Sequence, residues 1–79
     1  MKVRLNLFAS LARYMPNKAK GNSWTVEISE GTRVRELLEQ CKIPKDTVKL
    51  VFLNGVHANG DEILNDGDRV GVFPPIGGG

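Results

Sequence analysis

The chain is short of the residues that most protein chemistry needs: 79 positions hold one cysteine, one histidine and one tryptophan. Cys41 has no partner for an internal disulfide. With His57 as its only soft neighbour, it founds no cluster of zinc-ligand type. Long apolar runs are missing too: none approaches the roughly 20 residues that cross a bilayer, so a membrane protein is not expected. The opening Met1-Lys2-Val3-Arg4 alternates charged with apolar residues instead of building a secretory signal, and a cytoplasmic protein is expected. Charge of one sign is also lacking. The 11 basic and 9 acidic residues are interspersed, the net charge is +2, and no stripe is present that would track phosphates, so nucleic acid is not an expected partner. What remains, 41% hydrophobic and 25% charged residues, is ordinary for a soluble domain. A chain this short predicts one domain burying about 60% of its unfolded surface, which leaves little room for a deep catalytic cavity.

Periodicity locates the elements. Val3, Leu5 and Leu7 alternate with Lys2, Arg4 and Asn6, which predicts a half-buried strand. Phe8, Leu11, Ala12 and Met15 then fall at helical spacing and predict a short turn of helix ended by Pro16. After a polar loop, Trp24, Val26 and Ile28 alternate with Ser23, Thr25 and Glu27 in a second strand, with Trp24 expected in the core. Thr32 is placed to cap a helix whose stripe is Val34, Leu37, Leu38 and Cys41, stopping near Lys42 because Pro44 follows. Cys41 closes that stripe as a small buried hydrophobe. Val48 to Leu53 predicts a third strand, and Asn54-Gly55 accepts the positive φ angles of a hairpin turn leading to Val56, His57 and Ala58. His57, beside that turn, is expected in solvent. The dense turn signal Asn65-Asp66-Gly67-Asp68 feeds a last strand, Arg69 to Phe73, with Val70 and Val72 facing the core. Phe73 reads equally as the end of the core strand and as a surface anchor. The order predicts an α+β fold: a mixed sheet of four to five strands with one main helix packed across it, residues 1–73. The second and third strands, separated by the helix, can lie parallel or remote.

The body offers no Ser-His-Asp or Cys-His set, no phosphate-cradling glycine loop and no spaced carboxylate pair. The distinctive segment is residues 74–79, Pro74-Pro75-Ile76-Gly77-Gly78-Gly79, stiffened by two prolines and then free of side chains. Glycine loses the most backbone entropy on ordering, so a flexible tail is predicted. Such a tail can thread a narrow channel and present a carboxylate to a nucleotide. A carboxylate is a poor acyl electrophile; joined to adenylate it becomes a good one, and a sulfur nucleophile then yields a thiocarboxylate. The activating machinery must come from another protein.

Asp66-Gly67-Asp68-Arg69-Val70 with Val72-Phe73-Pro74-Pro75-Ile76-Gly77-Gly78-Gly79 resembles the C-terminal signature of the MoaD/ThiS family of ubiquitin-like sulfur carriers. Val3-Arg4-Leu5, Leu7-Phe8-Ala9 and Leu11-Ala12 are similar to the start of the MoaD branch, the small subunit of molybdopterin synthase. Val51 to Gly55 resembles the family's strand and Asn-Gly turn, so the likeness spans almost the whole chain. It implies a β-grasp fold and a Gly79 that is adenylated by a ubiquitin-activating-like enzyme and converted to a thiocarboxylate, with Gly78 completing the diglycine. It also implies that Phe73 anchors the partner and that Pro74, Pro75, Ile76 and Gly77 extend the tail into it. ATP would be used by the activating enzyme, with no cofactor bound by the chain itself. The sulfur acceptor would be the molybdopterin synthase large subunit or another acceptor enzyme, the chain serving as a sulfur-carrying subunit without turnover of its own. The MoaD branch often carries alanine before the diglycine. Gly77 is similar to some ThiS tails, which leaves thiamine, tungsten cofactor and sulfur amino acid synthesis as alternative destinations, and a ubiquitin-like protein modifier as a rival function.

Overall fold

A computed structural model describes residues 1–15, 21 and 23–75. Its elements are β1 (Lys2–Leu7), a 3₁₀ helix (Ala9–Tyr14), β2 (Ser23–Glu27), α1 (Val34–Gln40), a 3₁₀ turn (Lys45–Thr47), β3 (Leu50–Leu53), β4 (Val56–Ala58) and β5 (Arg69–Phe73). They form one five-stranded sheet in the order β2-β1-β5-β3-β4. β1 and β5, the first and last strands, are parallel neighbours at its centre, and the other pairings are antiparallel. The second and third strands lie remote from one another, as a helical crossover allows.

One face of the sheet is the core. Val3, Leu5 and Leu7 of β1, Val70 and Val72 of β5, and Val51 and Ala58 of the β3–β4 hairpin meet Val34 and Leu37 of α1, with Leu11, Val26, Ile28, Ile43 and Leu64 closing the edges. Trp24 packs against this cluster without being fully buried. Alternation therefore reported the buried face of every long strand.

Three expectations are corrected. Thr32 does not cap α1; its hydroxyl donates back to the Ser29 carbonyl at 2.7 Å. The exposed amides at the start of α1 are satisfied instead by a distant loop, Val34 N–H on the Glu62 carbonyl at 3.0 Å and Arg35 N–H on the Gly60 carbonyl at 2.9 Å. The Glu36 carboxylate accepts from Arg33 N–H at 2.8 Å. At its other end the helix stops because Lys42 turns left-handed, φ 59°, and Ile43 N–H closes on the Leu38 carbonyl at 3.0 Å. Phe8 and Ala12 do not share the inward stripe of the first helical segment, because a 3₁₀ helix has three residues per turn; Leu11 is its buried residue and Ala12 is exposed. The third strand is also shorter than its apolar run, since Val48 is spent ending the 3₁₀ turn.

The two turn signals are structural clamps. Asn54 (φ 52°) and Gly55 (φ 83°) make the tight hairpin. The Asn54 side chain accepts from Arg69 N–H at 2.9 Å and donates to Asp68 at 3.0 Å, tying that hairpin to the start of β5. The other Asp68 oxygen accepts from Asn65 N–H at 2.8 Å, and Asp66 accepts from Lys2 N–H at 2.8 Å. Gly67, at φ 87°, donates its amide to the Lys2 carbonyl at 2.8 Å. The Asp-Gly-Asp turn thus fastens β1 to β5 where the two strands begin.

Candidate functional site

β5 is flanked on both sides, so its far end is a rigid platform for whatever follows. Within it Val70 and Val72 point to the core, while Gly71 and Phe73 occupy the opposite, outer face. The Phe73 carbonyl accepts from Lys49 N–H at 2.8 Å, and the Val72 carbonyl accepts from Phe8 N–H at 3.1 Å. Pro74 is buried and Pro75 is exposed, so the described body closes at Pro74. Ile76, Gly77, Gly78 and Gly79 lie outside the described residues.

The outer face next to this exit is aromatic. The Phe73 ring stacks on Phe8 with centroids 4.3 Å apart and planes 7° from parallel, and Phe52 meets Phe73 edge-on at 5.6 Å. His57 extends the group, edge-on to Phe52 at 5.9 Å, and is exposed. Gly71 forms the floor: a Cβ there would already touch the Phe8 ring at 3.4 Å. Asn6, Phe8, Phe52 and Phe73 line a shallow groove of about 340 Å³ over that floor. Phe73 is therefore half-buried by other aromatics and stands outside the core cluster. Its companions Phe8 and Phe52 were not read as site residues from the sequence. Strand phase could have found them, since Phe52 is out of phase with Val51 and Leu53, and Phe8 with Leu5 and Leu7. At the β2 side of the groove the cross-strand pair Asn6 and Ser23 buries a side-chain oxygen on each residue without a hydrogen-bond partner among the described residues, an arrangement that costs stability.

The remaining sequence candidates stand apart from this face. Cys41 ends α1 half-buried, and burial raises its thiol pKa, which disfavours the nucleophilic thiolate. A second groove, about 300 Å³, runs between α1 and the β3–β4 hairpin over an apolar floor that includes Leu38, Ile43 and Val48. Its rim carries Arg35, paired with Asp61, and the side chains of Lys45 and Lys49, which have no partner among the described residues. Among the described residues no group of three or more His, Cys, Asp or Glu could hold a metal ion, and no helix is long and apolar enough to cross a membrane. The geometry offers a docking face beside a held strand end.

Comparison with known proteins gives the same outline. The ThiS family model matches residues 7–79. The fold is similar to that of a Pyrococcus furiosus chain described as molybdopterin converting factor subunit 1, 31% identical over 95% of this chain and 98% of that one, with a TM-score of 0.74. It is also similar to small archaeal modifier protein 1 of Haloferax volcanii, at 22% identity, 95% and 98% coverage and a TM-score of 0.75. A third likeness is to a chain in the complex of subunits 1 and 2 of the molybdopterin-converting factor of Helicobacter pylori, at 22% identity, full coverage of both chains and a TM-score of 0.62. No curated protein matches by sequence.

Proposed function

The chain belongs to the ThiS family of ubiquitin-like sulfur carriers, and on that premise we propose that it carries sulfur as a thiocarboxylate on Gly79 for synthesis of the molybdenum cofactor. A separate adenylating enzyme joins the Gly79 carboxylate to AMP with release of pyrophosphate. A sulfur donor then displaces AMP, and the acceptor enzyme takes the sulfur and returns the carboxylate. Gly77 and Gly78 let the chain pass close to the nucleotide, because no Cβ intervenes. The observation that carries this reading is the join between strand and tail: Phe73, clamped through its carbonyl and stacked on Phe8, sits on an aromatic docking face directly before Pro74-Pro75. A partner seated on Phe8, Phe52 and Phe73 receives the terminal segment at a fixed place. The likeness to the Pyrococcus furiosus subunit favours molybdopterin synthase as the acceptor.

Intact-mass analysis tests the proposal. Incubated with the adenylating enzyme of the same organism, ATP and a sulfur donor, the chain should gain the mass of one oxygen replaced by sulfur. A variant lacking Gly78 and Gly79 should gain nothing. Lysine conjugates in place of that gain would identify a protein modifier, and full sulfur delivery by the truncated variant would refute the assignment to Gly79.

A further inference from the structure

The aromatic groove lies toward the tail end of the outer face and reaches Arg69 at its far side. At the opposite end that face is basic: Arg4 and Arg69 are register neighbours on the parallel strands β1 and β5, with Lys2 two residues before Arg4. All three are exposed while Val3, Leu5 and Val70 beside them are buried, so the three basic side chains belong to the outer side. They line one shallow depression together with Thr25 and Gly67. The carboxylates nearby are otherwise engaged. Glu27, across from Lys2, meets the Met1 ammonium at 3.3 Å, while Asp66 and Asp68 hold the backbone amides of Lys2 and Asn65. Among the described residues neither arginine side chain has an ion-pair or hydrogen-bond partner.

Neighbouring strands lie about 4.8 Å apart, so this register brings two like charges side by side at the centre of the sheet. Like charges so placed oppose strand pairing, and nothing among the described residues pairs with them. The arrangement is explained if the compensating carboxylates arrive from outside. Lys2 and Phe8 are separated by about 20 Å along β1, and a standard protein interface spans roughly 30 Å on each partner. One partner can therefore cover both ends of the face.

We propose that Arg4 and Arg69, with Lys2, form an electrostatic docking point for an acidic patch on the adenylating enzyme, and so fix the in-plane rotation of the carrier upon it. This rests on the function proposed above. An aromatic patch alone gives contact without direction, because apolar attraction is non-directional; a second, charged contact, about 13 Å away at the two arginines and about 20 Å away at Lys2, aims the strand end at one point. The adenylating enzyme is the chosen occupant because loading is an encounter between separate proteins. Charge complementarity speeds such encounters and selects among partners more than it strengthens a lasting complex.

The test is the kinetics of ATP-dependent adenylation with the carrier as the varied substrate, together with thermal unfolding of each variant. Arg4→Glu and Arg69→Glu should each raise KM by about tenfold, leave kcat unchanged and flatten the rise of KM with salt. Each substitution also turns a repulsive register pair into an attractive one, so Tm should hold or rise by about 1–4 °C. Lys45→Glu, outside this face, makes the same change in net charge and should leave KM alone. Unchanged KM in both arginine variants, or a defect confined to sulfur acceptance, would overturn the proposal while leaving the sulfur-carrier reading intact. A wild-type chain that is not adenylated overturns both.

Discussion

Asp68 illustrates how a residue within a recognisable motif can serve the fold without touching the chemistry. One carboxylate oxygen accepts from the Asn54 side chain and the other from Asn65 N–H, while the Asp68 carbonyl accepts from Arg4 N–H at 2.9 Å. Asp68→Ala removes the two side-chain contacts together. A loss of about 1–2 kcal/mol is expected, which denaturant unfolding would register as a Tm decrease of roughly 4–16 °C, with sulfur loading of the folded fraction unchanged. The sequence showed this turn clearly, yet could not separate its structural task from a functional one, because both leave the same Asp-Gly-Asp signature. Phe73 was similarly ambiguous: its position in β5 was legible, whereas its ring stack depends on Phe8, 65 positions away by the numbering. No local pattern encodes a contact of that range.

Among the elements, α1 departs most from what its own sequence predicts. Its apolar stripe was readable, but its cap comes from the loop before Leu64, whose carbonyls receive the amides of Val34 and Arg35. That loop is shaped by Glu62, whose carboxylate accepts from Asn59 N–H and Gly60 N–H at 2.9 Å each. These backbone bonds, that from Asn59 foremost, hold the Glu62 pKa below its ordinary value. A depressed folded-state pKa means stability that is fully present above the unfolded-state value, about 4.3, and is lost as the pH falls through the lower folded value. Unfolding monitored between pH 7 and pH 2 should therefore show part of the acid destabilisation disappearing in Glu62→Gln, with the earliest loss of amide protection in Val34 and Arg35. Protection there that is independent of pH would rule out this coupling. The strands were more legible, since period-two alternation reports directly which side chains face the core.

At the scale of the whole molecule, sequence reasoning reached one domain with a mixed sheet and a single main helix, and it left the strand order open. Local propensity is silent on which strands pair across the chain; here the first and last do, in parallel, at the centre of the sheet. Two docking regions on one face, aromatic and basic, exist only because that pairing sets β1 beside β5. Removing residues from Arg69 onward should abolish cooperative unfolding and amide protection in β1 as well as in β3, because both lose their partner. Retained protection in β1 would show that the β1–β2 hairpin stands alone. The central place of β5 also ties maturation to competence. Under the function proposed above, a nascent or misfolded chain has the same glycines as a finished one but no platform to aim them, so the strand that completes the architecture would also decide which copies can be charged.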